Sequence, residues 1–583
     1  MYQAIFYDYK THTYFLRDDQ HSKFKQFQYQ PTYYKRISEW QEGAFPVLTG
    51  GWALPTRKYD KEDSNLLEKD ISRELVLLRD LYYKFDDIIP SYHNIVYIDI
   101  EIEMGGALTP EYIKSTPNPL TSIALIDVTQ KQKICFIVDE KNEIPETNIP
   151  GKSIIPCSSE KELIQKFLTK FEELDPTIIV GWNSAYFDIP YLYFRLLKII
   201  GEEETLRLSP IRKINNREFK GENQITIGGI NHLDYMLLHK KYIMKEEPSY
   251  KLGDIGEKYI DLGKIEYEGN LNTLYKTDLN KFIDYNLRDV EILEKLDEKL
   301  KFIELTIMIS HICNIPYESI YYNTVMNEGA ILKYLKRENI VSPNKPTTHN
   351  PNLKYNNDSY AGGFILEPVP GLYFDVIDLD FTSLYPSIIK SLNLGIETLV
   401  GRIKVEHNAT YEQNHSLEKL KERDPNEEII IEKLDKTNYK LKSAKIKLKT
   451  LIDLIEKNNY TISASGAIFD TNEQSICSRI LQGWFEKREH YRALKKKAGK
   501  AEDWVNYKLY DLFQHAFKIL QNAMYGTYAK NGWRYTDGHL ICSAAITNSG
   551  QRLTQETIEF VNNKINNEYL QLSKEELIAK FGL

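Results

Sequence analysis

Between residues 94 and 183 the chain alternates short apolar runs with an amphipathic one, and this pattern constrains the fold most. "NIVYIDIEIE", "SIALIDV" and "KICFIVD" read as strands, "EKELIQKFLTKFEEL" as a helix, and "TIIVGWN" as a further strand. Strands and helices in this order predict an α/β layer in which helices bury a sheet, continuing to about residue 300.

The chain has 583 residues, more than one core usually holds, so several domains are expected. Residues 1–90 mix short aromatic runs with a charged helical run and form an N-terminal α+β domain; 91–340 hold the α/β domain, and the Pro- and Asn-rich stretch 341–359 is a linker. A second unit opens with 360–400. A charged insert follows at 401–460, whose apolar positions predict a solvated helical pair. Largely helical text fills 461–530 and 531–583.

Composition excludes some classes. With 42% hydrophobic and 27% charged residues the chain is neither fibrous nor disordered. A formal net charge of -8 argues against an unspecific DNA-coating protein but leaves room for a local basic channel. The 41 tyrosines point only weakly to nucleic acid. Five scattered cysteines predict neither structural zinc nor disulfides and fit a reducing compartment, and no run approaches a membrane span of about 20 apolar residues.

The acids carry the chemistry. In "YIDIEIE", Asp99 and Glu101 share one face of a strand, as does Glu103. Adjacent acids repel unless a cation compensates, although a solvated sheet face has the same pattern. Asp188, in "IIVGWNSAYFDIPYL", enters a helix where it is exposed beside strand ends, or simply caps that helix. Tyr285 and Asp289, in "FIDYNLRDVEIL", share one helix face, which a solvated helix also explains. Together they offer four hard-oxygen ligands and a phenol, a set suited to phosphodiester hydrolysis with two Mg²⁺ or Mn²⁺ ions about 4 Å apart.

These three segments resemble the exonuclease motifs of proofreading DNA polymerases, D-x-E, N-x-x-x-F/Y-D and Y-x-x-x-D. The resemblance implies a ribonuclease-H-like 3′ to 5′ exonuclease domain. Asp99, Glu101, Asp188 and Asp289 would be metal ligands and Tyr285 the water-positioning residue, while Asn183 and Phe187 would wall the frayed 3′ end. "DLDFTSLYPSII" puts a carboxylate at the end of an apolar strand, follows it with a turn-forming Tyr-Pro-Ser, and resembles motif A of family B DNA polymerases. It implies Asp380 and the Phe381 carbonyl as palm metal ligands, backbone amides of Ser383, Leu384 and Tyr385 at the triphosphate, and Tyr385 as steric gate. "FKILQNAMYGTYA" resembles motif B, with Lys518 on the triphosphate and Asn522 and Tyr525 lining the nascent base pair. Arg488 in "WFEKREHYR" matches the phosphate-binding arginine of the companion fingers helix. "YAGG" matches the Y-x-G-G loop that meets DNA, through Tyr360, Gly362 and Gly363.

The family implied is therefore that of the proofreading polymerases of large tailed phages. Its fold would be α/β multidomain, with an N-terminal domain, the exonuclease domain and a partial palm with helical fingers. Motif C, Y-G-D-T-D-S, does not occur in the sequence, nor does a thumb. The expectation is a DNA-directed DNA polymerase subunit, N-terminal part of a split or truncated enzyme, that extends DNA only with a second polypeptide supplying both. Primer-template DNA and dNTPs are the implied partners, with two Mg²⁺ or Mn²⁺ ions per active site. A sliding clamp would act through the second polypeptide, in the cytoplasm of an infected bacterium. A stand-alone exonuclease with a relict palm and a non-catalytic DNA-binding assembly protein are the competing readings. Retention of Asp380, Tyr385, Arg488 and Lys518 disfavours the former, because a nuclease needs no triphosphate site.

Overall fold

The alternation in "IVYIDIEI" forms strand β1 (Ile95–Ile102), which turns Val96, Ile98, Ile100 and Ile102 into a core and leaves Asp99 and Glu101 on the opposite face. In the computed structural model, residues 1–19, 21–85, 92–103, 105–219, 221–346, 362–374, 376, 378–404, 415–530 and 532–581 are described. They divide into two units, Met1–Gln30 with Ser72–Tyr322, and Pro31–Ile71 with Asn323–Leu583. Among the described residues no helix is long and apolar enough to cross a membrane.

In the first unit β1 joins β2 (Leu120–Asp127), β3 (Gln132–Val138), β4 (Thr147–Ile149), β5 (Lys152–Cys157), β6 (Ile178–Gly181) and β7 (Asn231–Asp234) in one sheet ordered β4-β5-β3-β2-β1-β6-β7. β1, β2 and β3 run antiparallel, whereas β6 lies parallel to β1 and β7 parallel to β6. Every residue of β2 is buried, as expected of a central strand covered on both faces. Helix α1 (Glu160–Leu174) covers one face with Leu163, Ile164, Phe167, Leu168, Phe171 and Leu174, and Ser159 caps its first turn by accepting from the Glu162 amide. Helix α2 (Asp188–Thr205) shares that core. On the other face lies α3 (Leu279–Leu300), capped by Asp278 and ended by a left-handed Lys301 at φ 58°.

The second unit contains α4 (Leu384–Leu392), α5 (Leu448–Asn458), α6 (Ile476–Lys500), α7 (Trp504–Tyr525) and α8 (Ile541–Phe560). Its larger sheet is built from β8 (Leu399–Ile403), β9 (Glu428–Asp435), β10 (Lys440–Lys447), β11 (Thr461–Ile462) and β12 (Ala467–Phe469), ordered β10-β9-β8-β12-β11. Thus the charged insert is not the expected helical pair. Its β-branched run Ile429–Ile431 pairs antiparallel with β10, and Leu448, Leu451 and Ile455 of α5 close a small core over that hairpin. The lysines of "KLKSAKIK" hide the strand from a hydrophobicity reading, because most of this edge strand is exposed.

Two further expectations change. Residues 1–90 do not form one domain: the strands within residues 1–30 belong to the first unit, while Pro31–Ile71 and the helix Asn323–Arg337 belong to the second. The reason is local pairing. Tyr34, Val47, Ala53 and Leu67 share a core with Val341, Val47 bridges Val341, and the Glu68 carboxylate accepts from the Ser342 amide at 3.0 Å. The apolar strand expected before Asp380 is likewise not formed among the described residues of 362–382. A strand needs a neighbour for its backbone N–H and C=O groups, and no pairing of this run is found among the described residues. Ile365, Leu372, Phe374 and Val376 accordingly stand exposed.

Candidate active sites

In the first unit three segments converge on the face of β1 away from the core. One ligand oxygen from each of Asp99, Glu101 and Asp289 lies within 4.8 Å of the others, the sole such cluster among the described residues. Asp289 is 2% exposed, on the face of α3 that lies against the sheet. Asp188 begins α2, where a carboxylate suits the positive helix end, but it is 4% exposed rather than solvent-facing. Its Oδ1 accepts from the Ile100 amide at 3.2 Å. That amide sits beyond Tyr97, the last β1 residue paired with β6, so Asp188 satisfies backbone that the shorter strand leaves open. Glu103 stays outside the cluster, paired with Lys276 at 3.3 Å, past the irregular register at Glu101/Ile102.

Two residues that sequence reasoning missed complete the arrangement. Asn286 donates to Asp99 Oδ2 at 2.6 Å and is itself held by the Ser122 hydroxyl. Lys264 donates to Asp289 Oδ2 and, at 3.1 Å, to the Tyr285 hydroxyl, with its ammonium 5.1 Å from the Tyr285 ring centre. Asn286 adjoins Tyr285 and reads as one more polar helix residue, while Lys264 lies in an irregular loop without any periodic signal.

Burial and crowding shift these acids upward. Glu101 is pushed up to about 8 by burial and then by Asp289, and Asp188 to about 7 by burial, opposed by the Ile100 amide. Burial raises Asp99 too, with Asp289, Asp188 and Glu101 adding repulsion. Asp289 is raised by burial against the pull of Lys264. Burial disfavours the Lys264 ammonium, yet Asp289, Asp99 and Tyr285 outweigh it and hold the charge. Lys264 is the cation bonded to this group of four acids, and among the described residues Asp289 Oδ1 is buried without a hydrogen bond.

An open cleft of about 980 Å³ leads to the acids, lined by Asp99, Trp182, Asn183, Tyr250, Lys264 and Asp289 among others. Asn183 takes a left-handed turn at φ 59°, and both oxygens of Asp234 hold that turn, through the Asn183 amide at 3.2 Å and the Ala185 amide at 3.0 Å. Gly181 is required just before it, since a Cβ would overlap Ser184 and crowd the Ile98 carbonyl. Phe187 packs half-buried against the core and the Tyr191 ring.

The second unit gathers the other predicted residues. Ser383 adopts φ 55° ahead of α4, whose first residues are Leu384 and Tyr385. The Tyr385 and Tyr525 rings meet at 4.4 Å between centroids. Gly363 and Gly550 crowd Tyr385: a Cβ would lie 3.3 Å from its hydroxyl at Gly363 and 3.0 Å from Cε1 at Gly550. Gly362 accepts from Gln551 at 2.6 Å. Helices α6 and α7 pack as a hairpin. Arg488 of α6 reaches Ser383 Oγ at 3.4 Å and, within the hairpin, Gln521 Oε1 at 3.3 Å, and among the described residues its Nε is buried without a partner. Lys518 and Asn522 are exposed on α7, two turns and one turn before Tyr525 on the same side. His515 is lowered by burial and then by Lys518, and Arg488 also acts on it, so positive charge gathers here. Asp380 and Phe381 are exposed in the irregular run before α4, and Tyr360 lies outside the described residues.

Comparison with known proteins agrees with this layout. The family model described as DNA polymerase family B matches residues 318–580, and that described as DNA polymerase family B, exonuclease domain, matches residues 79–255. Helix α3, with Tyr285 and Asp289, falls between the two ranges and is brought to the site by the fold. The DNA-directed DNA polymerase of Escherichia phage RB69 is 34% identical over 268 residues, 45% of this chain and 29% of that protein. That of Enterobacteria phage T4 is 30% identical over the same extents. A DNA polymerase of Pyrococcus glycovorans is 26% identical over 470 residues, 79% of this chain and 49% of that protein. The matches thus span less than a third of the phage relatives and about half of the archaeal one.

Proposed function

Because the chain belongs to DNA polymerase family B, we propose that it trims DNA 3′ ends at the acidic cleft of its first unit and binds an incoming deoxynucleoside triphosphate in its second. The observation that carries the reading is the meeting of Asp99, Glu101 and Asp289 within 4.8 Å on a cleft of about 980 Å³. Oxygen ligands suit Mg²⁺ or Mn²⁺, and the unpartnered Asp289 Oδ1 fits a cation. Asp99, Glu101 and Asp289 would hold the ions, with Asp188 beside them; bound ions would supply an activated water and neutralise a departing oxygen. Asn286 orients Asp99, Lys264 fixes Asp289 and the Tyr285 hydroxyl, and Tyr285 positions the attacking water. Asn183 on its left-handed turn contributes to the wall for the frayed strand, with Phe187 behind it.

In the second unit Arg488 and Lys518 meet the phosphates, the Ser383–Tyr385 amides join them at the α4 terminus, and the Tyr385–Tyr525 pair flanks the sugar and base, with Asn522 nearby. The glycines at 362 and 363, with Tyr360, serve the DNA strand. Asp380, with the Phe381 carbonyl, would ligate the palm ions, two per site as in the cleft. Nucleotide transfer needs a further acid, which we assign to a second polypeptide that also supplies a thumb. The exposed apolar side chains of Ile365, Leu366, Val369, Leu372, Val376 and Leu379, directly before Asp380, support such a partner, whose strands would cover them. Primer-template DNA and dNTPs are the substrates, a sliding clamp acts through the second polypeptide, and the setting is the cytoplasm of an infected bacterium.

The test incubates labelled primer-template with Mg²⁺ and dNTPs, with and without that polypeptide. Shortening by the chain alone and extension only by the pair are expected. Extension by the chain alone refutes the divided palm, and failure to shorten DNA refutes the nuclease. Asp99→Ala with Glu101→Ala should abolish shortening and spare partner-dependent extension; loss of both would mean the two sites are not separate.

A further inference from the structure

The β9–β10 hairpin concentrates positive charge in a chain of formal net charge -8: residues 433–449 contain seven lysines and one aspartate. Lys436 is committed to the fold, donating to the Glu397 carbonyl at 2.7 Å. Lys433, Lys440, Lys442, Lys445, Lys447 and Lys449 are exposed. The strand register sets Lys442 directly against Lys433, a like-charge pair that repels, and the nearest acid to Lys442, Asp435, is 3.8 Å away. Edge strands are commonly guarded against unwanted pairing by a charged side chain, often lysine. β10 is an edge strand, but a single lysine serves that purpose and the four on it leave a surplus.

The hairpin that presents them is firmly held. Arg402 and Glu432 form a buried ion pair at 2.8 Å, His539 donates to the Tyr439 carbonyl at 2.7 Å, and Ile429 and Ile446 reach the small core under α5. Side chains two apart share a strand face and repeat every ~6.8 Å, so Lys440 and Lys442 lie on one face of β10 and Lys445 and Lys447 on the other, along an edge of about 24 Å. Over that length one DNA strand carries about seven phosphates.

We propose that this lysine edge binds the phosphodiester backbone of DNA, as a contact surface separate from the cleft and from the Ser383–Tyr525 site. The inference rests on the reading that the chain handles DNA. Charge complementarity selects the ligand: a held edge whose lysines outnumber the acids facing them, Asp435 and Glu428, recognises a regular row of anions, without regard to base sequence.

The experiment titrates the full chain with a fluorescent single-stranded oligonucleotide and with a blunt duplex, between about 50 and 200 mM salt. The variant replaces Lys440, Lys442, Lys445 and Lys447 together, each Lys→Gln. The plot of log affinity against log salt should become shallower by about 0.9 for each lost contact on duplex and about 0.7 on single strand, roughly 3 overall, so the two slopes identify the form bound. Changing the same four to Arg should restore the slope. Should the fourfold Gln variant melt early by circular dichroism, Lys442→Gln and Lys445→Gln are read singly, each with a drop of about 0.7–0.9. An unchanged slope and affinity overturn the proposal. So does a variant that keeps DNA but loses polyglutamate, which would make the edge a dock for an acidic protein. If the parent chain binds neither DNA, the proposed function itself fails.

Discussion

Replacing Lys264 by Met removes the cation that donates to Asp289 among the four acids and leaves an aliphatic chain of similar length. The Asp289 carboxylate is 3% exposed and the Lys264 side chain 37%, so the pair is neither fully buried nor freely solvated. Unit charges at contact in a surrounding of intermediate dielectric attract by about 4 kcal/mol, and the open side of Lys264 reduces this to about 1–3 kcal/mol. The loss should depend on pH. Glu101, raised to about 8, and Asp188, raised to about 7, bind protons in the folded chain that the unfolded chain has already released. Folded stability from these groups therefore falls as pH rises from about 4 towards those values. Without Lys264 the acids repel more strongly once ionised. The variant should lose its 1–3 kcal/mol near pH 8, lose clearly less near pH 6, and recover most of it in millimolar Mg²⁺. Hydrogen exchange of peptides from β1 and α3 reads this locally, independent of the second unit. An equal loss at both pH values, or no recovery with Mg²⁺, would refute the account of Lys264 as a charge holding the acids together.

Mg²⁺ binding near pH 7 should release protons from Glu101 and Asp188, and release should vanish near pH 9.5; calorimetry in buffers of different ionisation enthalpy measures it. Gly550→Ala gains about 1 kcal/mol of helix propensity but places a methyl 3.0 Å from Tyr385 Cε1. Melting should therefore change by less than about 1 kcal/mol while triphosphate affinity falls several-fold, as read by nucleotide titration. Arg402→Met should cost about 3–5 kcal/mol by stranding Glu432, whereas Arg402→Met with Glu432→Leu should restore most of it in urea unfolding.

The sequence made legible whatever depends on a local face. Asp99 and Glu101 two apart on a strand, and Tyr285 with Asp289 four apart on a helix, do share faces, because those periods belong to the backbone. What it hid depends on which distant segment comes alongside. Lys264 reaches Asp289 from an irregular loop, and the exposure expected of Asp188 is reversed because it replaces a strand partner for Ile100. The same distinction explains both misread segments. The Ile429–Ile431 run became a strand because β10 and β8 accept its backbone, despite helix-like spacing around it. The run before Asp380 has the better strand composition and forms none, since no pairing strand lies beside it among the described residues. Side-chain pattern therefore sets what a segment can become, and the availability of backbone partners decides whether it does. By that logic, strand formation at the described residues of 364–379 would read out the palm partner proposed above: their amides should gain exchange protection when the proposed second polypeptide binds, together with the extension activity proposed for Asp380.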